Sequence, residues 1–204
     1  MKIKTLELFE VNSDIIGLMS SIQHIGWEDV REQSIHRILY LSGVLYAFVY
    51  PDEPVPYDNY HFSISNSGPF SIVINNSILD LKRREILTED SEGNIKLNIG
   101  RTKGINLPSS EKSTWFNTVV YILGKYGESK VFGFVIQDPQ YKEFFQRNSQ
   151  MEIDVSLKNK TAKFLNAFKQ TFEENLNDVA QIDTKEYLEL YFEYIFSKII
   201  KKNN

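Results

Sequence analysis

Lys82, Arg83 and Arg84 form an unbroken basic run at the end of an amphipathic stretch, and Lys96 follows in the next extended one. Cations so placed can meet phosphates, while Ser71, Asn75 and Asn76 on the same stretch carry groups that hydrogen-bond base edges. Lys82, Arg83, Arg84 and Lys96 are therefore the candidate nucleic-acid contacts. The same cations have a plainer use, since positive charge at a helix C-terminus complements the helix dipole. Glu89, Asp90 and Glu92 stand close by in the sequence and would repel a phosphate backbone. The plainer use is preferred, and any contact with DNA is expected to be indirect.

No other set of residues has the spacing of a catalytic or metal site. His24, His36 and His61 are far apart, and none sits in an HExxH, HxH or HxxxH arrangement. The acid pairs Glu89-Asp90 and Glu173-Glu174 fall in turns or on solvated faces without a neighbouring His or Lys set. Gly100, Gly104, Gly124, Gly127 and Gly133 make neither GxxxxGK[ST] nor GxGxxG, and Ser109, Ser110 and Ser113 lack a GxSxG context. The chain has no cysteine, which removes thiol chemistry, zinc thiolates and disulfides and suits a reducing cytoplasm. A non-catalytic protein with no metal and no cofactor is the expectation.

Composition narrows the partner. A net charge of −4 opposes a protein whose main task is coating nucleic acid. With 14 Phe and 11 Tyr the aromatic fraction is 13%, and aromatic residues are enriched at protein interfaces. Met1 to Val11 mixes Lys and Glu with apolar residues and so lacks the apolar core of a signal peptide, and no later run is long enough to span a bilayer.

These residues need elements to hold them. Leu6 to Phe9 reads as a short strand or a lead-in, and Ser13 or Asp14 as the N-cap of a helix over Ile15 to Ile25. Trp27 is an anchor, and Glu28 to Tyr50 reads as a helix buried on most sides. Pro51, Pro54 and Pro56 then stiffen a loop. Tyr60 to Ile64 alternates like a short first strand, Gly68-Pro69 punctuates, and Phe70 to Arg84 is the recognition helix, with Phe70, Ile74, Ile78 and Leu81 as its apolar stripe. Ile86-Leu87, a polar turn and Ile95 to Ile99 make a hairpin wing.

Ser109 or Ser110 caps a helix over Glu111 to Tyr126, Lys130 to Ile136 reads as a strand or extended linker, and Asp138-Pro139 opens a helix over Gln140 to Arg147. Helices over Thr161 to Val179 and Thr184 to Lys201 end the chain. The last is apolar nearly all round, and Tyr187, Tyr191, Tyr194 and Phe196 are its candidate partner interface, against the default that they fill a core. The fold expected is mainly α with a small β-hairpin wing, a winged-helix core flanked by further helices. Residues 1–100 carry the N-terminal helices and that core, and residues 101–204 a helical extension packed on it as one unit.

The segments RILYLSGVLYAF (37–48), HFSISNSGPFSIVINNSILDLKRREILTE (61–89) and FGFVIQDPQYKEFF (132–145) carry a resemblance. Together they look like the small winged-helix middle components of ABC-three-component and Lamassu-type bacterial anti-phage defence systems, which are similar in turn to Panacea and SocA-like antitoxin domains. The resemblance implies a scaffolding subunit, without catalytic residues, between a coiled-coil SMC-like or Rad50-like ATPase and a nuclease or other effector. The alternative it leaves open is an antitoxin or transcriptional regulator that binds a toxin or duplex DNA. The apolar last helix and the KVFGFVI segment depart from the family pattern.

Overall fold

Residue spacing and long-range backbone bonds together decide where the helices begin. The structure is a computed structural model that describes residues 5–201, except 51, 55, 138, 148–151, 154, 156–157, 161–162, 164–165, 168, 170–172 and 175–181. Helix α1 spans Thr5–His24 and buries Val11, Ile15, Leu18 and Ile22 at helical spacing. Ser13 and Asp14 sit inside it and cap nothing. The Ser13 hydroxyl donates to the Asn106 carbonyl (2.9 Å), and the Asp14 carboxylate accepts from the Tyr60 hydroxyl (2.7 Å) and the Lys112 ammonium (2.8 Å).

Helix α2, Glu32–Val49, is buried from Ser34 through Phe48 and forms the centre of the molecule. It starts later than its sequence suggests because Trp27 to Arg31 has other partners. The Trp27 indole donates to Asp29 (2.6 Å), and the Val30 carbonyl accepts from the Ile95 amide (2.7 Å). The helix then opens with the Ser34 hydroxyl accepting from the Arg31 amide (3.0 Å).

Strands β1 (Ser63–Ser65) and β2 (Gly68–Phe70) form an antiparallel hairpin, followed by helix α3 over Ile72–Arg83. Strands β3 (Leu87–Glu89) and β4 (Ile95–Leu97) form the second hairpin, in register Leu87 to Leu97 and Glu89 to Ile95, with Gly93 at φ +83° in the turn. The wing is where the sequence places it. Its first strand is not: β1 pairs with β2 in a separate sheet, and Val30 occupies the place beside β4. Gly68-Pro69 and Phe70 accordingly belong to a strand rather than to a break and a helix start.

Helix α4, Ser110–Gly124, is capped by the Ser109 hydroxyl, which accepts from the Lys112 amide (3.3 Å). The KVFGFVI segment is helical, not extended. Helix α5 covers Glu128–Gln137 because Val131, Phe134 and Val135 fall on one face and are buried there. Helix α6 is Pro139–Gln146, and helix α7, Thr184–Lys201, has the bounds that its sequence predicts. The apolar positions expected to define a helix over Thr161 to Val179, namely Phe164, Leu165, Phe168, Phe172 and Leu176, lie outside the described residues.

The fold is thus mainly α with small antiparallel hairpins. One apolar core takes residues from Val11 to Phe192, so residues 1–100 and the later helices share it. Polar bonds cross the same boundary, from the Trp115 indole to the Ser42 carbonyl (3.0 Å) and from Ser21 to Asn117 (2.6 Å).

Candidate functional site

Helix α3 has two unlike sides. Val73, Ile74, Ser77, Ile78 and Leu81 are buried against α1 and the wing. Ile72, Asn75, Asn76, Leu79 and Arg83 recur at the spacing of a second stripe on the opposite, outward side. Ile72 is 47% exposed and Leu79 is 50% exposed, with the two asparagines half-buried between them. In a winged helix this is the face that would meet the major groove. Here it carries two exposed aliphatic side chains, Ile72 and Leu79.

Ser71, expected among the base-reading groups, is fully buried. It is the N-cap of α3: its hydroxyl accepts from the Ile74 amide (3.3 Å) and donates to the Tyr60 carbonyl, while its own amide donates to His36 Nδ1 (3.1 Å). His36 stacks on Phe70 with ring centres 5.0 Å apart. Burial, aided by the neighbouring Arg37 charge, pushes its pKa down to about 4, so the ring is neutral and carries its proton on Nε2.

The candidate phosphate contacts are mostly paired within the chain. The Lys82 ammonium bridges Glu32 (2.5 Å) and Glu89. Partial burial works against its charge, but those two hydrogen bonds outweigh it and its pKa lies above that of an ordinary lysine. Arg84 meets Asp80 one helical turn back (3.4 Å), and Lys96 meets Asp90 (3.3 Å). Arg83 is exposed at the end of the outward stripe.

Asp90, expected to repel a backbone from the wing tip, organises that tip. Its carboxylate accepts from the amides of Asn94 (2.9 Å) and Glu92 (3.0 Å), and these bonds, with Lys96, hold its pKa down at about 2.

On the last helix, Leu188, Tyr191 and Phe192 are fully buried. Tyr191 stacks on Phe48 at 5.4 Å and therefore belongs to the core rather than to an open interface. Tyr187 and Tyr194 are half-buried at the edge of that core. Phe196 lies on α7, and its side chain is outside the described ones.

Among the described residues no group of three His, Asp or Glu side chains could hold a metal ion, and no helix is long and apolar enough to cross a membrane. The feature that sequence reasoning missed is the aliphatic pair on α3. Ile72 and Leu79 lie seven residues apart, off the stripe that the buried residues define, and that spacing was the available signal. No family model, curated protein or solved structure matches the chain.

Proposed function

We propose that this chain is a non-catalytic docking subunit, a winged helix whose third helix binds another protein rather than DNA. One observation carries the reading: Ile72 and Leu79 stand half-exposed on the outward face of α3, while the cations at its end are largely taken up by Glu32, Glu89 and Asp80. Desolvated aliphatic groups contribute to protein interfaces, whereas phosphate binding needs cations free to release counterions.

The resemblance to defence-system middle components gives this docking a setting, an accessory subunit that bridges a coiled-coil ATPase and an effector in the cytoplasm. Co-expression with the products of neighbouring genes tests the proposal. A stable complex that Leu79→Lys disrupts without unfolding the chain supports it. A chain that remains monomeric beside every such product overturns it.

A further inference from the structure

A cleft of about 590 Å³ opens between the C-terminal end of α2, the start of α4 and the start of α7. Three aromatic rings wall it. Tyr46 lies 4.8 Å from Tyr50 and 5.6 Å from Trp115, at nearly a right angle to the indole, and Tyr50 lies 5.8 Å from Trp115. The Trp115 N–H is committed to the Ser42 carbonyl, so the indole offers the cleft only apolar and π surface.

Two carboxylates from different elements converge on one phenol. The Tyr46 hydroxyl donates to Glu53 at 2.5 Å, and Glu111 approaches the same oxygen at 3.3 Å. A phenol has one proton and can satisfy only one of them. Asp183 adds a third carboxylate, which accepts from the Lys185 amide (3.2 Å) at the start of α7. The Lys185 ammonium, the cation that lines the cleft, sits 3.9 Å from the Tyr121 ring centre. Among the described residues no ion pair joins Glu53, Glu111 or Asp183 to a cation of the chain.

Excess negative charge beside a cluster of tilted and edge-on aromatic rings is complementary to an organic cation. A hard divalent ion would want a compact set of oxygen ligands, and the rings would add nothing to its binding. A guanidinium or ammonium gains from both, through charge-assisted hydrogen bonds to carboxylates and through the negative faces of the rings. A planar guanidinium can also lie flat against a ring.

We propose that the cleft bounded by Tyr46, Tyr50, Trp115, Glu53 and Glu111 receives an organic cation, the guanidinium of an arginine side chain presented by a partner protein. It shares no residue with the outward face of α3. The site can therefore stand or fall independently of the docking proposed for that helix.

Titration of the full chain with N-acetylarginine amide, followed by the indole N–H resonances of its two tryptophans, tests this. The Trp115 resonance should move saturably, while Trp27, held by Asp29, stays in place. The neutral isostere N-acetylcitrulline amide should give no saturable shift. Glu53→Gln combined with Glu111→Gln should weaken binding at least fivefold with the far-UV spectrum unchanged. Spermidine, titrated in parallel, separates the sources. Weaker binding than the arginine probe supports a presented side chain, and binding more than tenfold tighter overturns that assignment in favour of a free amine. Equal shifts with citrulline, undiminished binding by the double variant, or no saturable shift overturn the site.

Discussion

The Ile95 amide donates to the Val30 carbonyl at 2.7 Å, and this bond sets the five residues before α2 beside the second strand of the wing. The order that results is helix, extended segment, helix, helix and hairpin, with β1 and β2 inserted between the second and third helices. That insertion supplies Ser71, whose amide reaches back to His36 on α2. The third helix is thereby fixed at its first turn by a buried imidazole and at its last by Lys82, which ties it to α2 and the wing.

Acidification should weaken the fold through His36. Its folded pKa of about 4 lies below the ordinary value of 6.5, so between these limits the unfolded chain binds the proton and the folded chain does not. The contribution is complete above pH 6.5 and is lost as the pH falls toward 4, reaching on the order of 3 kcal/mol. Chemical denaturation across that range should show wild type losing stability faster than His36→Asn, whose amide oxygen can accept from Ser71 without titrating.

Adding a single methyl should have opposite effects at two helical glycines. A Cβ at Gly17 would lie 2.4 Å from Cγ and 2.9 Å from Cδ of Pro108, a ring that cannot fold away. Overpacking of about 1–3 kcal/mol should outweigh the roughly 1 kcal/mol gained in helix propensity, so Gly17→Ala should melt lower. A Cβ at Gly133 meets nothing within 4 Å, and Gly133→Ala should stabilise α5 by about 0.5–1 kcal/mol. Thermal melts of the two variants should move in opposite directions.

The basic run should matter to folding more than to DNA. Lys82→Met removes two ion pairs around a partly buried ammonium and should cost up to about 1 kcal/mol. Arg83→Ala with Arg84→Ala should alter duplex affinity less than threefold when measured by fluorescence anisotropy at low salt. A tenfold loss with a steep salt slope would instead make α3 a DNA-reading helix.

Local pattern revealed most of this architecture, and its failures have a common cause. The wing was legible because Asp90, Gly93 and Asn94 encode their own turn, and α4 because Ser109 is its cap. Ser13 and Asp14 looked like caps, but Asn106, Tyr60 and Lys112 claim them across the fold. The KVFGFVI segment looked extended because it is dense in apolar residues, and its helical face emerges only once Val131, Phe134 and Val135 are packed inward. Tyr191 and Tyr194 are one helical turn apart and similar in type, yet one is core and the other edge, a distinction that α2 makes through Phe48. The aromatic cleft was hidden for the same reason, since Tyr46, Glu53, Glu111 and Trp115 come from three separate segments.

The central claim is that the outward face of α3 binds protein. Its most direct test is size-exclusion chromatography of the chain co-expressed with the products of its neighbouring genes, comparing wild type with Leu79→Lys and with Arg83→Ala. The account predicts co-elution for wild type and Arg83→Ala, and loss of the complex for a folded Leu79→Lys. Co-elution that survives Leu79→Lys, or a wild-type chain that elutes alone, would contradict it.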